Sequence, residues 1–190
     1  MSQHCDDEYA SAKTQPLFPG NVRAIRNFLL SENSIAHLML WTITLIGVSQ
    51  CLRVEEVLTL TIENFLNDYH ITQMNSVDSL LMWILGKSDK EKVHLNCWDR
   101  HHCSEFSAVC CLLLWIRIAK IKSGYIFPQL SNLNFTNNGT NDDADECYAY
   151  KNCLNDIKYL CYKILKLTDS EEELRGKFFF HYLGNIMSHF

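Results

Sequence analysis

The chain has 190 residues and a formal net charge of −5, with 47% apolar and 21% charged residues. This length suits one domain with a hydrophobic core, and the apolar content is far from that of a disordered chain. A net negative charge does not favour non-specific nucleic-acid binding, so any DNA contact must come from local groups of Lys and Arg.

Nine cysteines are present, and their spacing is not that of a disulfide framework. The N-terminal residues lack the basic and apolar regions of a secretory signal. The longest uncharged run, residues 35–52, is barely long enough to cross a bilayer, which favours a core helix. We therefore expect a protein that is neither secreted nor in a membrane. Its expected location is the nucleus if the source is eukaryotic, and the cytoplasm otherwise.

The first part of the chain has the pattern of a polar leader followed by helices. Residues 1–18 are expected to form a flexible leader to a single domain over residues 19–190. Apolar residues at helical spacing predict three helices: residues 21–31, residues 35–48, and a short helix after Arg53. Asn33 and Ser34 are typical capping residues for the second helix. That helix is apolar on nearly every side, so we expect it to be buried.

The middle of the chain changes from helical to strand patterning. Segments rich in β-branched and aromatic residues predict a small antiparallel sheet, formed from residues 69–72, 79–85 and 93–96. The polar residues 86–92 should form the turn between the last two strands, with a Lys at its tip. A long helix is then predicted over residues 104–122, with an apolar centre and a basic C-terminal end.

The last third of the chain combines an extended segment, a polar loop and further helix. Residues 124–128 are expected to be extended, and residues 129–146 to form a flexible acidic loop, because Asn, Thr, Gly, Asp and Glu dominate there. One apolar face predicts a helix around residues 147–166, and a capping pattern at 168–173 indicates another helix start. The expected fold class is mainly α with a small antiparallel β-sheet.

Three segments of the sequence follow one another as they do in a known family: residues 51–57, 86–95 and 125–128. Together with a late His, their order resembles the catalytic domain of tyrosine recombinases, the phage-integrase-like enzymes that include the crypton-type eukaryotic recombinases. The resemblance runs from about residue 22 to residue 184. It implies a DNA integration or recombination protein that needs no metal and no nucleotide cofactor.

The resemblance also implies particular site residues. Arg53 matches the first Arg of the family's phosphate clamp, and Glu56 matches the acidic residue that orients this Arg. Lys87 matches the turn Lys that protonates the leaving 5′-oxygen, and His181 matches the His of the His-x-x-Arg motif. Cationic donors of this kind stabilise charge that develops on the scissile phosphate. The DNA-binding residues expected on this basis are Arg53, Lys87, Lys90 and Lys92.

The sequence departs from the family pattern in its C-terminal part. Gly184 stands where the resemblance places the second clamp Arg, and loss of such a donor typically costs about 2.7–4 kcal/mol of transition-state stabilisation. The family's nucleophilic Tyr would fall beyond Phe190, and Tyr182 is too close to His181 to replace it. We therefore expect a truncated, degenerate catalytic domain with weak or residual DNA binding. A partner protein or a second copy would cover the truncated C-terminal face.

Other interpretations of these residues remain open. A recombinase-derived module with DNA-binding or protein-interaction function, and a helical interaction protein with no link to recombinases, are the alternatives for the whole chain. Arg53 considered alone fits an exposed Arg paired to its own helix. The basic residues between 117 and 122 fit DNA phosphates or a helix C-terminus favoured by its dipole.

A cluster of His and Cys follows the last predicted strand. Zinc ligands and a His-rich strand-to-helix connection are both compatible with this set, which comprises His94, Cys97, His101, His102 and Cys103. The spacing fits no common zinc finger closely. No metal ligands are therefore assigned.

Overall fold

The computed structural model describes residues 19–31, 33–65, 78–85, 93–133, 146–149, 151–153, 155–157 and 159. The described part is mainly helical and contains one two-stranded antiparallel sheet. Its main elements are α1 (Pro19–Ser31), α2 (Ile35–Gln50), α3 (Val54–Leu58), β1 (Ser79–Leu85), β2 (Val93–Asp99) and α4 (Ala108–Ala119). Short 3₁₀ turns lie at Ile62–Asn64, Ser104–Phe106 and Leu130–Asn132. Residues 151–153, 155–157 and 159 are also helical.

Helix α2 is the centre of the hydrophobic core. Every residue from Met39 to Val48 is buried, and α1, α3 and α4 all pack against this helix. The hydroxyls of Thr42 and Thr44 donate to carbonyls one turn earlier, at 2.8 Å, so these polar groups are satisfied inside the core. The predicted burial of this helix is therefore confirmed. None of the helices within the described ranges has both the length and the apolar character needed to span a membrane.

One face of the sheet packs against this core. Leu80, Met82 and Trp98 point inward and are fully buried. On the opposite face Trp83 pairs across the strands with Leu95, and these side chains remain 36% and 47% exposed. An antiparallel sheet with one face on the core follows from such alternation. Strand β1 lies where the sequence predicted it, and β2 continues three residues beyond the predicted end.

Helix α4 is shorter than the predicted helix over residues 104–122. Ser107 is its N-cap and accepts from the backbone N–H groups of Cys110 and His101, at 3.3 and 3.2 Å. Because Ser107 ties the preceding connection to the helix start, residues 104–106 form a separate 3₁₀ turn. Lys120 adopts a left-handed conformation with φ of 54°, which ends the helix. The predicted bounds were therefore wrong at both ends.

The buried indole of Trp115 holds the chain after α4 against the core. The Nε1 of Trp115 donates to the carbonyl of Ile126 at 2.7 Å, and its ring stacks on Phe127 with centroids 6.3 Å apart. Trp115, Ile126 and Phe127 are all fully buried. The hydrogen bond satisfies both a buried donor and a buried acceptor, so this contact fixes the position of the extended segment.

The ends of the predicted acidic loop lie side by side. The N–H of Gln129 donates to the carbonyl of Glu146 at 3.2 Å, and the N–H of Tyr148 donates to the carbonyl of Phe127 at 2.6 Å. Residues 146–149 are therefore extended, and the predicted helix start at residue 147 was wrong. Helical residues begin at 151, where the predicted helix is confirmed.

The helical residues 151–153 and 155–157 are tied to the segment before them by a polar contact. The hydroxyl of Tyr148 donates to Oδ2 of Asp156 at 2.5 Å. Burial, followed by this bond and the Asp156 charge, raises the pKa of Tyr148. Burial and the same charge raise the pKa of Cys153 to about 12. The Cys153 thiol is thus kept protonated, as expected for a reduced core cysteine.

Several predictions lie outside the described residues. These are the leader at residues 1–18, the strand at 69–72, the turn at 86–92, residues 134–145 of the acidic loop, residues 160–166 of the helix predicted to end at 166, and the helix start at 168–173. Helix α1 begins two residues before its predicted start, at Pro19, and α2 continues two residues beyond its predicted end. Proline is favoured in the first turn of a helix because the N–H that it lacks would have no helical partner there.

Candidate functional site around Arg53

Arg53 lies in the sharp connection between α2 and α3. Cys51 adopts a left-handed conformation with φ of 56° and ends α2, and Leu52 then turns inward with only 9% of its side chain exposed. Arg53 is extended, with φ −71° and ψ 152°, and stands at the N-cap of α3. Since Leu52 and Val54 on either side are buried, the backbone of Arg53 is held in one place.

Glu56 fixes this turn through the main chain. Its Oε2 accepts a hydrogen bond from the backbone N–H of Arg53 at 2.7 Å. An Arg side chain offers no acceptor, so the carboxylate three residues later caps the helix start instead. Acidic residues in the first turn also complement the helix dipole. This contact holds the backbone of Arg53, and an orienting effect of Glu56 on the guanidinium stays a prediction of the resemblance.

The guanidinium of Arg53 belongs to a half-buried side chain at the edge of the core. A half-buried Arg loses less conformational freedom on binding than a fully exposed one, because packing already restricts its stem. Its planar fork of donors matches the oxygens of a phosphate. The position is therefore suited to hold an anion beside a fixed backbone.

The family-like segment at residues 125–128 pairs with the residues that follow α3. The N–H of Ile126 donates to the carbonyl of Leu60 at 2.9 Å, and the N–H of Ile62 donates to the carbonyl of Gly124 at 3.0 Å. Thr61 and Tyr125 form the bridge between these bonds. The extended segment predicted at residues 124–128 is thus confirmed where it pairs with the exit from α3.

Glu63 closes the same junction with its side chain. Its Oε1 accepts from the N–H of Gly124 at 3.0 Å, and Gly124 has a φ of 73°, which favours glycine. Partial burial acts to raise the pKa of Glu63. Hydrogen bonds from the N–H groups of Gly124 and Glu63 and from the Thr61 hydroxyl outweigh it, so the pKa lies below its ordinary value.

The remaining predicted site residues lie outside the described residues. These are Lys87, Lys90, Lys92 and His181, together with Gly184 and Tyr182, on which the departures from the family depend. The strands that flank Lys87 are described, and the register pairs Leu85 with Val93 across the turn. The predicted hairpin is therefore present. Convergence of Arg53 with Lys87 and His181 stays a prediction.

The His- and Cys-rich stretch forms the connection from β2 to α4. Cys103 donates its N–H to Nδ1 of His101 at 3.1 Å, and the rings of His101 and His102 lie 4.0 Å apart. Among the described residues, no three His, Cys, Asp or Glu side chains gather where they could hold a metal ion. The local contacts fit a strand-to-helix connection.

Sequence reasoning did not anticipate Glu63 or the Trp115 indole as supports of the site. Glu63 and Gly124 are 61 residues apart, and Trp115 and Ile126 are 11 apart. No local motif marks either pair. The apolar spacing of α4 indicates that Trp115 is buried, but it does not identify the carbonyl that the indole bonds.

Comparisons with known proteins give a fold and no family. No protein-family model matches the sequence. No curated protein matches it either.

Among solved structures, the chain is similar to the XerH site-specific recombinase, whose structure is a pre-cleavage complex bound to difH substrate. The TM-score is 0.54 at 12% sequence identity, and the match covers 90% of this chain. This chain spans 41% of the length of that recombinase chain. The likeness is one of fold. It confirms the expected tyrosine-recombinase-like fold, mainly helical with a small antiparallel sheet.

Removal of the Glu56 cap should destabilise the protein. For Glu56→Ala we expect a loss of about 0.5–2 kcal/mol in the free energy of unfolding, because the backbone N–H of Arg53 loses its acceptor. Urea denaturation followed by circular dichroism measures this loss. Glu55→Ala is the matched control, since it also removes a carboxylate from the first turn of α3. An equal loss in both variants would mean that dipole effects, and not this bond, stabilise the turn.

Glu63 should make stability depend on pH in the acid range. A carboxyl whose pKa is lowered in the folded state contributes stability above its ordinary pKa of 4.5, and this stability is lost as pH falls through the folded value. We therefore expect the free energy of unfolding to fall less steeply below pH 4.5 in Glu63→Gln than in the unmodified protein. Parallel profiles for the two proteins would contradict the assigned role, and Glu55→Gln is the control.

Proposed function

We propose that this chain is a DNA-binding domain of the tyrosine-recombinase type, in which Arg53 contacts a backbone phosphate. It belongs functionally with DNA integration and recombination proteins, acting without strand cleavage. A tyrosine-recombinase-like fold supports the class of function. The geometry of Arg53 supports the contact. If the source is eukaryotic, the nucleus is the proposed location.

The observation that carries this proposal is how firmly Arg53 is held. Buried neighbours, the Glu56 carboxylate and the start of α3 all fix its backbone. A fixed backbone leaves only the side-chain torsions to be ordered on binding, and the guanidinium offers charge-assisted bonds to phosphate. Phosphate contacts of this kind position a protein on duplex DNA without reading its sequence.

Because the protein is negatively charged overall, its DNA binding must come from a small group of basic residues. At a net charge of −5, long-range attraction to DNA is weak, and affinity must come from a few close contacts. The connection between β1 and β2 supplies Lys87, Lys90 and Lys92 within seven residues. We propose that these lysines act with Arg53, which makes weak, salt-sensitive binding the expected behaviour.

Absence of cleavage is proposed from the residue at position 184. The resemblance places a second clamp Arg there, and this chain has Gly184. Glycine has no side chain that could donate to a phosphate. One missing donor of this kind slows chemistry by about a hundredfold to a thousandfold, so we expect cleavage to stay below detection during a binding experiment.

Substitution of Arg53 should weaken DNA binding. For Arg53→Ala we expect about a tenfold or larger rise in Kd for a short duplex at low salt, because one charge-assisted phosphate contact is lost. Lys87→Ala should act in the same direction and reduce the slope of log Kd against log salt by about one. Fluorescence anisotropy with a labelled duplex at two salt concentrations measures both quantities.

Arg117→Ala is the matched control for this experiment. Arg117 is an exposed Arg on α4, where the basic charge fits the helix C-terminus. We expect its Kd to stay within about twofold of the unmodified protein. Equal weakening by Arg117→Ala, or no binding by the folded protein at low salt, would contradict the proposal. A covalent protein–DNA adduct on a denaturing gel would contradict the absence of cleavage.

A further inference from the structure

Strand β2 presents a backbone edge that nothing in the described part of the chain covers. Strand β1 pairs with β2 on one side, and Phe65 pairs with Met82 on the far side of β1. The other side of β2 therefore has no strand against it among these residues. An uncovered edge is a row of N–H and C=O groups that can pair with another extended chain.

The ladder identifies which groups face outward. The N–H of Arg100 donates to the carbonyl of Asp78, which lies opposite it in the register. In an antiparallel pair, alternate residues exchange both backbone bonds. The inward groups on β2 are therefore those of His94, Asn96 and Trp98. The N–H and C=O groups of Leu95, Cys97 and Asp99 point away from β1.

This edge lacks the features that normally keep strands apart. Residues 93–99 contain no Lys, no Pro and no Gly, and the pairing with β1 is continuous over seven residues. Natural edges are usually guarded by such residues or by a bulge. The side chains beside the edge are also accessible, since Leu95 is 47% exposed and Cys97 is exposed.

We propose that β2 pairs with β2 of a second copy of this chain, so that two hairpins form one four-stranded antiparallel sheet. This interface is separate from the Arg53 turn and does not rest on DNA binding. In the monomer the outward groups bond to water, and an antiparallel copy of the same edge offers matching donors and acceptors. A two-fold axis would make the contact self-complementary and closed, which limits assembly to a dimer.

The proposed register keeps like charges on the two strands apart. If the axis passes beside Cys97, each Asp99 lies opposite Leu95 of the other copy, and Arg100 lies opposite His94 of the other copy. Centring at Asp99 would instead set two carboxylates against each other, which is unfavourable. In the proposed register Trp83 and Leu95 of both copies share one outer face of the sheet. The two Cys97 residues then directly face each other in a hydrogen-bonded pair.

Sedimentation velocity over a wide concentration range tests the dimer. We expect reversible dimerisation that Leu95→Pro weakens by about tenfold or more, because the ring removes an N–H at the new interface. Since this N–H faces away from β1, the hairpin itself keeps its ladder. Circular dichroism checks that the variant is folded.

A matched pair of lysine substitutions provides the control. Leu95→Lys should weaken the dimer, whereas Leu114→Lys on α4 should not, although the two leucines are 47% and 46% exposed. A protein that is monomeric at every concentration, or equal effects of the two substitutions, would overturn the proposal. Slow hydrogen exchange at Leu95 and Cys97 in a monomer would also overturn it, since the chain would then cover its own edge.

Thiol cross-linking tests the register. A short bifunctional maleimide, which adds one thiol at each end, should join Cys97 to Cys97 of the other copy, because residues facing each other in a hydrogen-bonded pair lie about 5.5 Å apart at Cα. We expect a covalent dimer that Cys97→Ser abolishes and Cys51→Ser preserves, both cysteines being exposed. The opposite dependence would overturn the proposed pairing.

Discussion

The burial of one helix on every side is the constraint on which the rest of this structure depends. Helix α2 is apolar nearly all round, so it is stable in water only when other elements cover it. Helices α1, α3 and α4 do so. Its end at Cys51 therefore fixes where the chain emerges from the core, and Arg53 is two residues further on. The candidate site is in this sense a consequence of packing.

A second set of contacts extends this order from α3 to the C-terminal side of α4. The backbone bonds between Leu60 and Ile126 and between Ile62 and Gly124 are supported by the Trp115 indole and by the Glu63 carboxylate. These contacts join two distant parts of the sequence, one of which directly follows α3. A five-residue helix such as α3 has little intrinsic stability, so it depends on tertiary contacts of this kind.

Local sequence patterns were sufficient for much of this fold. The uninterrupted apolar run predicted α2, Ser34 marked its start, and strand-forming residues predicted β1. The helix predicted over residues 104–122 was too long at its start, because Ser104 and Ser107 are both possible N-caps. The choice of Ser107 depends on a contact with His101, which no local pattern shows. The end at Lys120 requires a left-handed conformation that sequence does not usually predict for Lys.

The candidate site was predicted unevenly for the same reason. A resemblance to a family identified Arg53 and Glu56, and their spacing on a helix start explains why the carboxylate reaches the backbone of Arg53. Glu63 was missed because its partner is 61 residues away. Contacts between distant segments depend on the packing of the whole core, and one sequence contains no direct signal for them.

The most direct test of this account is hydrogen exchange measured by mass spectrometry, with and without duplex DNA. If the Arg53 turn is the phosphate contact, amides within residues 51–57 should exchange more slowly when DNA is bound. Amides at the C-terminal end of α4, around the exposed Arg117, should exchange at the same rate with and without DNA. Binding of DNA with slower exchange at α4 and none at residues 51–57 would contradict the account.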